Sequence, residues 1–166
     1  MQRIEWMRNA RRDIAISTDI IVGFPGETEE DFELTLSLLD EVEYDSIFSF
    51  KYSVRPNTPA LSLGDHIPEE EKGRRLTILQ ERQRAIQLRR NTKLIGTEQE
   101  ALVEGFNSST GQWIGRTSQN RVLNFTSQPR EDGTVPERKS VVGKYFPVRV
   151  VRAGPNSLAG ECQVAL

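Results

Sequence analysis

The pattern of hydrophobic and polar positions differs between the two halves of this chain. Residues 14–22 are mostly apolar on both faces, which is typical of a covered parallel strand. A helical pattern follows, with apolar residues on one face at Phe32, Leu36, Leu39 and Val42. Residues 46–52 then alternate and are rich in aromatic side chains, which favours a second strand. The pattern therefore predicts one β-α-β unit.

The second half of the chain is predicted to begin with one long helix and to continue with short strands. Pro68 opens a predicted helix that runs to about residue 93 and has sparse apolar positions, among them Leu76, Leu79 and Ile86. After Gly96, turn residues separate five predicted strands, at residues 98–106, 113–117, 121–125, 144–152 and 157–164. Short strands at this spacing predict a small antiparallel β-barrel.

A single β-α-β unit cannot bury both faces of a parallel sheet. We therefore predict an α/β plus all-β chain: residues 1–67 form the last portion of a (βα) barrel, residues 68–93 a linking basic helix, and residues 94–166 an OB-like β-barrel. Docking of the first part on a partner is one alternative. A small α/β sandwich is another, but it would leave Ile20, Val22, Phe48 and Phe50 thinly covered.

Charge is distributed unevenly behind a net charge of −2. Residues 1–67 carry 6 Lys and Arg against 13 Asp and Glu, whereas residues 68–93 carry 8 against 4. A basic helix leading into a barrel with interleaved cations and aromatics favours contact with RNA. The single cysteine, Cys162, excludes an internal disulfide and a cluster or zinc site built from cysteines of this chain alone. Without an apolar signal region or membrane-length run, a cytoplasmic setting is expected.

The most informative segment is the strand and turn of residues 18–28, TDIIVGFPGET. Ligands of α/β proteins lie at the carboxyl ends of parallel strands, and Gly23 and Gly26 permit close backbone approach there. Thr28 is expected to cap the next helix, with Asp31 in a capping box. Phosphate binding at this helix start is a weaker alternative, because acidic residues crowd it.

Residues 19–28 (DIIVGFPGET) and 50–60 (FKYSVRPNTPA) resemble the last part of the radical-SAM barrel of the methylthiotransferases, and residues 97–164 are similar to their terminal TRAM domain. The resemblance implies S-adenosylmethionine and [4Fe-4S] clusters as cofactors, with cluster cysteines in a part of the enzyme that precedes this segment. It implies methylthiolation of N6-isopentenyladenosine beside the anticodon, with the tRNA anticodon stem-loop as partner. On this interpretation the chain is a C-terminal part that is inactive alone.

Alternatives remain open at this stage. Related branches of the family act on another adenosine or on a ribosomal protein, and a non-enzymatic RNA-binding module would also suit residues 68–166. In the family, the residue matching Asp19 contacts the cofactor ribose, and the one matching Ile21 faces the adenine. The cofactor-binding residues so implied are Asp19, Ile21, Gly23, Gly26, Tyr52, Ser53 and Arg55.

The predicted RNA surface combines the end of the basic helix with the barrel. Its residues are Arg89, Arg90, Lys93, Trp113, Arg116, Arg121, Lys144 and Arg149. Trp113 follows a Ser-Ser-Thr-Gly loop and is expected to be exposed, while Phe125 and Tyr145 suit either the core or the surface. No catalytic or metal-ligating residue is predicted in this chain.

Overall fold

The computed structural model describes residues 2–11, 13–64, 66–128 and 138–165. Its elements, in chain order, are α1 (Gln2–Arg8), β1 (Ser17–Val22), α2 (Glu29–Val42), β2 (Ser46–Lys51), a 3-10 helix (Pro59–Leu63), α3 (Glu69–Thr92), β3 (Glu98–Asn107), β4 (Gln112–Thr117), β5 (Val122–Gln128), α4 (Arg138–Val141), β6 (Tyr145–Ala153) and β7 (Leu158–Ala165). Within the described residues, no helix is both long enough and apolar enough to cross a membrane.

Two compact units share the chain. The first comprises Met1–Asn9 and Ala15–Gln87, and the second Ala10–Ile14 and Leu88–Leu166. The boundary between the units falls within α3, whereas the hydrophobic pattern of the sequence changes only after that helix. We describe each unit by itself.

The first unit is built on a parallel pair of strands, β1 and β2, joined through α2. Thr28 begins α2 with the predicted capping box, in which its hydroxyl accepts from the Asp31 N–H and the Asp31 carboxylate accepts from the Thr28 N–H. The helix buries the predicted stripe of Phe32, Leu36, Leu39 and Val42. Val22 of β1 completes this core together with Leu79 and Ile86 of α3.

The opposite face of the β1–β2 pair is largely uncovered. Asp19 lies in register with Phe48, and Ile21 with Phe50. Ile21, Phe48 and Phe50 are 53%, 61% and 55% exposed, whereas Val22 is fully buried. The sheet therefore buries one face only, as expected for an isolated β-α-β unit.

The second unit is a closed five-stranded barrel in the order β3-β4-β5-β7-β6. The predicted fold class, α/β followed by a small β-barrel, is confirmed. One detail of the prediction is wrong: β5 and β7 pair in parallel, so the barrel is mixed and not wholly antiparallel. Closure brings strands very close at Gly160, where a Cβ atom would stand 2.7 Å from the Arg149 carbonyl oxygen.

The barrel interior is filled by alternating side chains of all five strands. Its core includes Val103, Trp113, Leu123, Phe125 and Val148. Cys162 is also buried here, as a small apolar side chain. The last turn of α3 is fastened within this unit, since the buried Asn91 amide donates to the Gly154 carbonyl at 2.8 Å and to the Pro155 carbonyl at 3.3 Å.

Candidate functional site

A hollow of about 500 Å³ lies at the carboxyl ends of β1 and β2. Ile21, Tyr52, Ser53 and Arg55, all predicted to bind a cofactor, line it. The remaining lining residues are Phe24, Phe50, Lys51, Thr58 and Ala60. Small-molecule sites typically measure a few hundred Å³ and combine apolar walls with a few polar groups. The hollow has this character.

Tyr52 forms the rigid part of the wall. Its N–H donates to the Val22 carbonyl at 2.8 Å, which continues the strand pairing one residue beyond the end of β2. Its ring meets Phe24 edge to face with centroids 5.2 Å apart, and the Lys72 ammonium lies 5.5 Å from the ring centroid. Although Tyr52 lines the hollow, it is only 8% exposed. Packing on several sides thus fixes the orientation of this ring.

The turn after β1 depends on its two glycines. Gly23 has φ +72° and Gly26 has φ +87°, a left-handed conformation that side chains disfavour. A Cβ atom on Gly23 would stand 2.4 Å from Cγ of Lys72, whereas nothing lies within 4 Å of the corresponding position on Gly26. The space left by Gly23 is therefore occupied by the Lys72 side chain, and Gly26 faces open space.

Glu27 and Arg75 stabilise this turn through hydrogen bonds and a buried ion pair. The Gly23 N–H donates to the Glu27 carboxylate at 2.5 Å, and Arg75 donates to the same carboxylate at 2.7 Å. The Glu27 and Arg75 side chains are only 11% and 7% exposed. Arg75 also donates to Glu71 at 2.8 Å. The buried ion pair links the turn to α3.

The Glu71 carboxylate of this network is held ionised. Hydrogen bonds from Arg74, and then from Arg75, lower the pKa of Glu71 to about 2 from its ordinary value of 4.5. For Arg75, burial lowers the pKa, but the hydrogen bonds to Glu27 and Glu71 outweigh it, and the pKa is raised overall. Glu71 and Arg75 therefore stay charged at neutral pH.

Sequence reasoning missed Lys72 and Arg75, because charged residues are ordinarily exposed. A signal was nevertheless present: counting back from Leu79 by helical spacing reaches Arg75 and Lys72, on the buried face of α3.

Asp19 stands apart from the hollow. It is exposed on the uncovered face of β1, two residues before Ile21, and is not among the lining residues. Asp19 and Ile21 project from the same side of the strand, about 7 Å apart by strand geometry.

The residues of α3 and the barrel that are predicted to bind RNA divide into exposed, partly exposed and buried positions. Arg89, Lys93, Lys144 and Arg149 are exposed, and Arg90, Arg116 and Arg121 are partly exposed. The predicted exposure of Trp113 is wrong: it is 3% exposed and packs in the barrel core against Phe106, with ring centroids 4.8 Å apart. The inward face of β4 carries Trp113, Gly115 and Thr117, so the tryptophan fills space that the small residues leave.

Tyr145 presents an aromatic ring where Trp113 does not. It is 61% exposed and lies in register with Leu102, which in turn lies in register with Arg116. Arg116 donates to Glu104 at 3.2 Å and to the Asn120 side chain at 3.2 Å. An exposed ring and a partly exposed guanidinium thus share one row on the outer surface of the barrel.

Comparison with known proteins identifies the second unit. Residues 92–162 match the family model of the TRAM domain. The whole chain is similar to proteins named tRNA-2-methylthio-N(6)-dimethylallyladenosine synthase: it is 63% identical over 161 residues to that of Solibacter usitatus and 54% identical over 163 residues to that of Koribacter versatilis. Each alignment covers 97% of this chain and 35% of the relative. The resemblance inferred from the sequence is confirmed.

Proposed function

We propose that this chain, whose barrel is a TRAM domain, acts as the C-terminal part of a tRNA methylthiotransferase. The observation that carries the proposal is the extent of the similarity, which runs through both compact units at 63% identity to the Solibacter usitatus protein. On this proposal the first unit contributes part of a cofactor pocket, and the second unit binds tRNA beside the adenosine to be modified.

The lining of the hollow suits S-adenosylmethionine, which carries an adenine at one end and a carboxylate at the other. Ile21 and Tyr52 offer apolar walls for the adenine, and the Ser53 hydroxyl and the Arg55 guanidinium offer polar contacts, Arg55 for a carboxylate. Asp19 lies outside the hollow, on the same strand face as Ile21, and would contact the ribose if the ligand extends from the hollow along this uncovered face. Gly26 leaves room for the ligand beside the turn, and Gly23 shapes the turn itself.

Iron–sulfur clusters are held by cysteine thiolates, and the only cysteine of this chain is buried in the barrel core. Residues of this chain therefore do not fit a cluster. S-adenosylmethionine, when bound, would supply the methyl group and, with clusters held elsewhere in the enzyme, the radical. We expect the chain alone to be inactive and the active enzyme to be cytoplasmic, where tRNA is modified.

The uncovered sheet face is consistent with such an incomplete pocket. Phe48 and Phe50 are more than half exposed although both belong to a strand. Further strands of a barrel would turn this face into an interior wall, with the hollow at one end. The exposed apolar area is of the kind that marks an interaction surface.

RNA contact is assigned to the outer surface of the second unit. Arg116, Arg121 and Lys144 offer cations for phosphates, and the exposed Tyr145 ring suits base stacking. Arg89, Arg90 and Lys93 add cations at the end of α3. Arg116 and Arg149 are the weaker members, because Arg116 donates to Glu104 and the partners of Arg149 in register are Glu98 and Glu161.

A chimera tests the enzymatic proposal. In the Solibacter usitatus protein, the aligned 161 residues are replaced by this chain, and tRNA from cells with the chimera is digested and analysed by mass spectrometry. We expect 2-methylthio-N6-dimethylallyladenosine, and a strong decrease when Tyr52→Ala is introduced. Loss of the product in a chimera that is folded and carries its clusters would contradict the proposal.

A non-enzymatic RNA-binding module is the second candidate. The closed barrel with its own core favours it, since such a unit needs no further strands. Binding of a tRNA anticodon stem-loop by this chain, weakening with salt, is expected on both proposals. An inactive but folded chimera together with such binding would favour the second candidate.

A further inference from the structure

A second groove, of about 300 Å³, lies entirely within the second unit and belongs to none of the surfaces described above. It is lined by the start of β4, the middle of β5, the end of β6, the β6–β7 loop and the start of β7. The lining residues are Gln112, Asn124, Arg152, Ala153, Gly154, Ser157, Leu158 and Ala159. We propose that this groove binds one nucleotide of single-stranded RNA, with Asn124 and Gln112 reading the base and Arg152 holding a phosphate. The inference rests on RNA binding by the second unit.

Strand register places the polar groups in one line. Asn124 of β5 is in register with Ala159 of β7, and Ala159 with Arg152 of β6. Asn124 and Arg152 are therefore two strand spacings apart, about 10 Å. This span is comparable to that between the base edge and the phosphate of one nucleotide, and the small Ala159 side chain leaves the space between them open.

The chemistry of the lining suits base recognition. A carboxamide carries two donors and an acceptor, and pairs of this kind read the edges of bases. Gln112 and Asn124 are half-buried. In the part of the chain that the structure describes, the side chains of Gln112, Asn124 and Arg152 make no hydrogen bond or ion pair, so their donors and acceptors are available to a ligand.

The groove is also pre-formed. The Gly154 N–H donates to the Ser157 carbonyl at 2.8 Å, which closes the β6–β7 loop. The buried Asn91 amide holds the same loop through the Gly154 and Pro155 carbonyls. A loop held from two sides loses little freedom on binding, which lowers the entropic cost of association.

The position in the barrel agrees with the general binding mode of its architecture. OB-type barrels bind oligonucleotides across their second and third strands and the loops that follow the first and fourth strands. Here those strands are β4 and β5, and the loop after the fourth strand is the β6–β7 loop. Residues of β4, β5 and the β6–β7 loop all line the groove.

Fluorescence anisotropy with the full chain and labelled single-stranded oligomers of A, C or U tests the inference. We expect the wild type to discriminate among the three oligomers. Asn124→Asp, which keeps the side-chain volume but removes the amide donors, is expected to reduce affinity for the preferred oligomer about tenfold and to reduce discrimination. Arg152→Gln is expected to weaken all three alike and to lower the salt slope by about 0.7.

Matched controls are Gln163→Leu, an exposed amide on β7 outside the groove, and Arg3→Gln, an exposed arginine of the first unit. Both are expected to bind like the wild type, and circular dichroism checks the fold of every variant. If the folded Asn124→Asp and Arg152→Gln variants bind like the controls, the groove is not a nucleotide site, although the proposed RNA binding stands. If neither the oligomers nor the anticodon stem-loop binds, both proposals fail.

Discussion

Replacing Arg75 by Met should destabilise the first unit far more than the same replacement at Arg74. Both arginines donate to Glu71 and Glu29, but only Arg75 reaches the buried carboxylate of Glu27. The Arg75 side chain is 7% exposed and that of Arg74 is 45% exposed. The two substitutions therefore remove the same chemical group from different environments.

The magnitude follows from the partner that is left behind. Without Arg75, the Glu27 carboxylate stays buried and keeps the Gly23 N–H as its neighbour in the turn. Breaking a buried pair in this way costs about 3–5 kcal/mol, and we take about 3 kcal/mol because the network lies close to the surface. Arg74→Met leaves no buried charge uncompensated, so its effect should be clearly smaller.

Urea denaturation of the full chain measures both effects. Far-ultraviolet circular dichroism follows the helices, since α2 and most of α3 belong to the first unit. In a Trp6→Phe background, which removes the tryptophan of the first unit, the fluorescence of the buried Trp113 follows the barrel as an internal reference. Arg75→Met should lower only the helix transition. Equal shifts for Arg74→Met and Arg75→Met, or a simultaneous shift of the barrel transition, would refute the reasoning.

Three further outcomes are expected. The pKa of Glu71 is lowered to about 2 by its arginine hydrogen bonds, so the stability that it contributes is present above pH 4.5 and is lost as the pH falls toward 2. Glu71→Gln should therefore flatten this part of a plot of urea midpoint against pH. Gly23→Ala and Gly26→Ala should each cost about 1–2 kcal/mol for the left-handed backbone, with a larger loss at Gly23 because Lys72 must move; equal urea midpoints would contradict this. Trp113→Ala should destabilise the barrel by about 3–5 kcal/mol in thermal or urea unfolding, whereas an exposed tryptophan would cost little.

The local pattern of the sequence predicted the elements well where one periodicity dominated. The α2 stripe and its Thr28 cap agree with the structure, because helical spacing and capping are local properties. The first strand was predicted from residue 14 but begins at Ser17, since apolar character extends beyond the paired part of the strand. The parallel β5–β7 pair was not predictable, because pairing between distant strands leaves no local signal.

The candidate site was predicted in part for the same reason. Tyr52, Ser53 and Arg55 follow β2 directly, so their location at the strand end is a consequence of chain order. Trp113 was misassigned because the alternation along β4 defines two faces without saying which is inside. Lys72 and Arg75 were missed because their burial depends on residues distant in sequence: Arg75 pairs with Glu27, and Lys72 lies against Gly23 and the Tyr52 ring.

The strands of the two units differ in how many neighbours they have. In the described residues, β1 and β2 pair only with each other, whereas every barrel strand has a partner on both sides. The outer backbone groups of β1 and β2 therefore remain available for strand addition. Self-association of this chain at high concentration should accordingly proceed edge to edge through the first unit, and charged substitutions on its strand edges should suppress it while leaving the barrel unchanged.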